Sequence, residues 1–314
     1  MTALLMVPAL VSVALFVAGA RLGRLLPPTT AVRLLTLAAL VGALSTGFVL
    51  SVAAFISVGQ LGPVAALGGW SAGTVAAGAP LPLLLGISCG ATAVALMVGA
   101  VRRVGVAGRD LVAAAATCRR LGPGTGGLVV VHDNVPDAYA LPGISGRVVV
   151  STAMMAALPA GERAVLLAHE AAHLRHHHHV YVQLVELSAA ANPMLRPLVE
   201  AVRAGVERWA DEDAATVVGD RALTARAVAR ATLARHTTTS AATTAGAPVW
   251  ALRMAAGTAV ARTQALLAPA PRPRHRLAAT VAAALLAATV SAIDAGTYTE
   301  HLFEVAQFAF ASHR

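Results

Sequence analysis

The sequence has no lysine and only two cysteines, and charged residues make up just 12% of its 314 positions. With 57% hydrophobic residues and a mean hydropathy of +0.70, so little charge excludes an ordinary soluble domain and points to a bilayer. Cys89 lies inside an apolar run and Cys118 beside Arg119 and Arg120, both remote in sequence from the histidines, so neither a disulfide framework nor a cysteine zinc site is expected. The lack of lysine leaves arginine as the whole basic complement and carries no mechanism by itself. The net charge of +9 would suit nucleic acid, but no helix-turn-helix or zinc-finger framework accompanies it, so direct nucleic-acid binding is not expected.

Four stretches approach the roughly 20 apolar residues that cross a bilayer as a helix: about 2–20, 34–57, 81–101 and 277–297. No charged residue occurs between Leu34 and Val101. The small residues Ala18-Gly19-Ala20 resemble a signal-peptide cleavage site, but the first stretch has no basic segment before it and Arg21 and Arg24 after it, so it reads as an uncleaved helix. Arginines then set the topology. Arg21, Arg24 and Arg33 hold the first loop in the cytoplasm, the uncharged loop before the third helix reads as external, and Arg102, Arg103, Arg109, Arg119 and Arg120 bring the chain back inside. Arg272, Arg274 and Arg276 keep it there until the fourth helix.

The expected fold is therefore a mainly α membrane protein, with four transmembrane helices and a cytoplasmic α+β domain between helices three and four. Its parts are three membrane helices over 1–101, a cytoplasmic domain over 102–275, and the fourth helix with a short external tail over 276–314. A bacterial cytoplasmic membrane is the expected location.

Within the cytoplasmic part, GLVVVHD (127–133) and GRVVVST (146–152) read as two strands joined by a turn-rich segment. LPAGERAVLLAHEAAHLRHHHH reads as one helix entered after Pro159, with Glu162 in its first turn where the helix dipole favours an acid. Asn192-Pro193 interrupts the pattern before a further helix from about 194, and HTTTSAATTAGAPV (236–249) reads as a loop.

His169-Glu170-Ala171-Ala172-His173 matches H-E-x-x-H. Residues four apart on a helix share a face, so both imidazoles can reach one Zn²⁺ while Glu170 addresses a bound water. Catalytic zinc usually takes a third protein ligand, and the candidate is Glu207 in VERWADEDAA on the following helix, with Asp211 one turn later as an acceptor that orients a histidine. Peptide hydrolysis is the natural reaction of such a site, with Glu170 as general base. For the oxyanion stabiliser, Arg262 and His236 are the candidates. His176 to His179 point in four directions on a continuous helix and read as a polar collar outside the site. Trp70 reads as an interfacial anchor, Trp209 as a packing residue and Asp294 as a helix-end acid.

The order GRVVVSTAMMAAL, GERAVLLAHEAAHLRHHH, Asn-Pro, then E-x-x-A-D resembles the gluzincin-type membrane metallopeptidases. These comprise the beta-lactam-sensor/antirepressor peptidase family and the related CAAX-prenyl and heat-shock membrane proteases. Three helices before the zinc domain and one after it are similar to the sensor/antirepressor type. The resemblance implies a zincin-like metallopeptidase fold for the cytoplasmic domain, zinc on His169, His173 and Glu207, Glu170 as the base, and Asp211 as the supporting acid. It also implies a protein substrate of the transcriptional-repressor kind; the lipid bilayer and a homodimer are the other expected partners. Only residues 298–314 follow the fourth helix, so direct beta-lactam sensing by a C-terminal domain is not expected. Membrane-protein quality control and a non-enzymatic scaffold that retains the zinc site are the alternative functions.

Overall fold

A computed structural model describes residues 2–122, 124–143, 146–242 and 259–312, with the side chains of 2–5 and 236–242 left aside. Four helices are long and apolar enough to cross a membrane: α1 (Thr2–Leu25), α2 (Pro28–Gly59), α5 (Leu83–Leu121) and α12 (His275–Ser312). Pro28 starts α2, where a missing N–H costs nothing. Each helix outruns its expected span. At 39 residues α5 is about 58 Å long, nearly twice a hydrocarbon core, because Arg102 and Arg103 end the apolar stretch without ending the helix propensity of the alanine-rich segment that follows.

The expected external tail is likewise helical as far as Ser312 and belongs to a packed cap. Two short helices, α3 (Gly62–Gly68) and α4 (Ala72–Gly78), fill the uncharged loop and meet the end of α12 through Ile56, Val75, Leu302, Phe303 and Ala306. Ser71 N–H donates to Ala306 O at 2.8 Å, Tyr298 Oη to Gly78 O at 2.8 Å, and the Trp70 indole to Gly59 O at 2.8 Å. Meeting Phe303 edge-on with ring centres 5.0 Å apart, Trp70 is a packing residue of this cap.

Strands β1 (Leu128–Val131), β2 (Ala138–Leu141) and β3 (Arg147–Ser151) form one sheet in the order β1-β3-β2, with β1 parallel and β2 antiparallel to β3. The sequence predicts two strands and a third forms; β2 lies in the expected connecting turn, because four residues beside Pro136 and Pro142 show no periodicity. One face of the sheet packs on Met154 of α6 (Thr152–Ala157) and on Leu166 of α7 (Ala160–Arg175).

After α7 come α8 (His178–Ala191), a 3₁₀ turn at Pro193–Leu195, α9 (Arg196–Val218) and α10 (Arg221–Ala242). A helical segment over 259–267, α11, precedes α12. The expected loop over 236–249 is helical as far as Ala242, and the rest of it lies outside the described residues.

The main core forms where α9 lies against α1 and α2: Leu22, Leu26, Val32 and Leu35 meet Leu198, Val202 and Val206. Gly205 permits this approach, since a β-carbon there would sit 2.8 Å from a Val32 methyl. At the α8–α9 turn, the Asn192 side chain accepts from Met194 N–H and donates to Ser12 Oγ at 3.1 Å and Thr46 Oγ1 at 3.2 Å. Ser12 lies twelve residues, about 18 Å, along α1 from Arg24. The break seen at Asn192-Pro193 is thus the tip of a hairpin inserted beside the first two apolar helices. Replacing Asn192 by Leu should destabilise the protein by about 1–2 kcal/mol through the lost turn cap and interhelical bonds, read as the unfolding midpoint in detergent; an unchanged midpoint refutes the role given to this contact.

Candidate metal centre

Helix α7 carries His169 and His173 one turn apart, and α9 packs across it with Glu207 and Asp211 one turn apart. The two ring nitrogens and the Glu207 carboxylate form a nearly equilateral triangle. His169 Nε2 and His173 Nε2 are 3.2 Å apart, His169 Nε2 and Glu207 Oε2 3.6 Å, and His173 Nε2 and Glu207 Oε1 3.6 Å. Tetrahedral zinc with ligand bonds of about 2.0–2.1 Å needs neighbouring ligand atoms about 3.3–3.4 Å apart, so this donor set fits zinc and leaves one position for water. Among the described residues, His169, His173 and Glu207 form the one group with metal-holding geometry.

The sequence pattern of Peptidase family M48 matches residues 110–284, more than half of the chain. The chain belongs to peptidase family M48. No curated protein and no solved structure shows a significant match. Membership of family M48 makes the chain a membrane-associated metallopeptidase by family, and the match runs from the projecting end of α5, through both metal-site helices, into α12.

Behind the triangle, Asp211 Oδ1 lies 3.0 Å from His169 Nδ1, and Arg262 of α11 grips Asp211 with two bonds of 2.7 and 2.6 Å. Arg262 also reaches Glu207 Oε2 at 2.9 Å. It therefore neutralises both carboxylates, whereas the sequence offered it as an oxyanion stabiliser. The side chain of the other candidate, His236, lies outside the described residues.

Two further residues escaped the sequence reading. Arg235 on α10 lies 3.9 Å from Glu170 Oε1 and donates to Ala138 O at 2.6 Å, and nothing in local sequence separates it from Arg226 or Arg230. His178, read as part of an outer collar, is buried against His173 because the helix breaks before it: α7 ends at Arg175, and His177 adopts a left-handed backbone with φ 52°. Trp209 stacks on His176 with ring centres 4.7 Å apart, and Arg33 sits 5.2 Å over its ring.

Burial alone would lower the pKa of His169, but its bonds to Asp211 and Glu207 outweigh that and raise it to about 9. His173 is pushed down to about 4 by burial and by the charge on His169. Burial raises Glu170 above the usual carboxylate range, which suits a proton acceptor. Glu207 and Asp211 are held below that range despite burial, by His169 and Arg262.

Before a metal binds, His169 is thus protonated at pH 7 and His173 and both carboxylates are not. Zinc requires a neutral imidazole, so binding at pH 7 should release about one proton, and this release should fade as pH rises through about 9. Calorimetry in buffers of different ionisation enthalpy measures it. Asp211→Asn lowers the His169 pKa and should reduce the release; an unchanged value would remove Asp211 from this role.

Proposed function

We propose that the chain is an integral-membrane zinc endopeptidase, acting from the cytoplasmic side on a cytoplasmic or membrane-associated protein. The observation that carries this reading is the placement of Glu170, a buried carboxylate with a raised pKa, on the wall of a cavity of about 940 Å³ shared with His169, His173 and Glu207. When bound, zinc would polarise the scissile carbonyl and acidify its water. Glu170 would accept a proton from the attacking water and pass it to the leaving amine. Arg235 and Arg262 hold positive charge along the same wall.

The cavity also suits an extended peptide. Asp137 O accepts from Ser151 N–H inside the sheet, so by alternation Ala138 and Ala140 turn their backbone groups outward from β2, on the cavity side. Arg235 occupies Ala138 O, and the Ala140 groups remain to pair with substrate backbone. At its other end the cavity runs along Pro197, Ala201 and Ala204 of α9, opposite Ala20 and Gly23 of α1, so it borders an apolar helix and favours a substrate close to the membrane. That geometry supports membrane-protein quality control as a second reading. The repressor-cleaving role rests on the resemblance to sensor/antirepressor peptidases. The cytoplasmic orientation rests on Arg21, Arg24, Arg33, Arg102 and Arg103 at the metal-centre end and the uncharged loop of α3 and α4 at the other.

In vesicles loaded with zinc, cleavage of fluorescent casein should fall by about 10²- to 10⁴-fold in Glu170→Gln while metal content stays unchanged, and Glu207→Ala should lose the metal. Cleavage that survives Glu170→Gln defeats the assignment of the base, and a cellular phenotype that survives it favours the scaffold.

A further inference from the structure

His173 has two ring nitrogens, and the triangle uses only Nε2. The other, Nδ1, lies 3.0 Å from Nδ1 of His178. We propose that His178 is a positioning residue for His173: its Nδ1 accepts the Nδ1–H of His173 and so fixes Nε2 as the nitrogen turned to the metal. The inference rests on the metal site proposed above. A metal-holding Nε2 carries no proton, which puts the proton of neutral His173 on Nδ1 and makes it the donor. His178 then keeps its own proton on Nε2.

The chain is built to place this ring. On an unbroken helix of about 100° per residue, His178 would stand about 140° round from His173 and face away. The left-handed turn at His177 restarts the helix at His178 and directs its side chain back. The ring is 1% exposed, meets His173 edge-on with centres 4.8 Å apart, and is walled by His176 and Trp209 at 5.7 and 4.8 Å. Its Nε2 is buried with no hydrogen-bond partner among the described residues, so the ring's one polar contact is the one to His173. The two ligand histidines are therefore held differently: a carboxylate braced by Arg262 stands behind His169, and a neutral imidazole behind His173. An imidazole pulls less on the shared proton than a carboxylate, which leaves His173 the weaker electron donor of the pair.

The test is zinc competition against a chromogenic chelator on the full chain in detergent, comparing wild type with His178→Phe, His178→Gln and His176→Phe. Wild-type protein that binds no zinc would be a failure of the proposed function itself. With zinc bound, His178→Phe should weaken affinity by about 10- to 100-fold. His178→Gln, whose Oε1 can accept the same bond, should recover most of that loss, and His176→Phe, in the same stack but off the His173 nitrogen, should stay near wild type. Equal affinity in wild type and His178→Phe overturns the assignment. So does a His178→Gln variant as weak as His178→Phe, or an equal loss in His176→Phe, since packing alone would then explain the effect. Should the Phe variant not fold, nitrogen-15 spectra of the zinc-loaded wild type read the tautomers directly, and a proton on His178 Nδ1 overturns the proposal.

Discussion

The packing of α9 is the constraint on which the rest of the structure depends. One face of this helix buries Leu198, Val202 and Val206 against α1 and α2, and the adjoining face delivers Glu207 and Asp211 to α7. A helix is stiff over this length, so the carboxylates inherit their position from the apolar contact. The hairpin tip at Asn192, bonded to both Ser12 and Thr46, pins the other end of the same rod. Membrane anchoring and metal-site geometry are in this way one packing problem.

Electrostatics impose the second requirement. Glu170, Glu207 and Asp211 crowd one region in which Glu170 and Asp211 are buried, and uncompensated carboxylates there would be costly. Arg262 bonds two of them and Arg235 approaches the third. These arginines come from α10 and α11, helices whose own sequence shows no motif, so elements that look like filler complete the charge balance of the site. Other acids are similarly matched: Glu186 links Arg103 of α5 to Arg203 of α9, and Glu212 holds Arg221.

Local patterns were legible where a single helix carries the whole signal. The four apolar helices, the start of α7 after Pro159 with Glu162 in its first turn, and the pairings His169/His173 and Glu207/Asp211 follow from length, dipole and the spacing of four. β2 was not legible, since it is a strand only because β3 supplies its partner bonds. The cap of α3 and α4 on the end of α12 was equally hidden, being made of contacts far apart in the chain.

The sequence by itself determined the apolar helices and the pairs of residues able to hold a metal, because each depends on neighbours within about one helical turn or one bilayer thickness. Only the tertiary structure decided which groups stand behind the ligands. Arg262 braces Asp211 from 51 positions away, and the left-handed turn at His177 converts an apparent surface histidine into the buried contact of His173. Those choices depend on where the helices cross and where one breaks, and no periodicity in the chain encodes either.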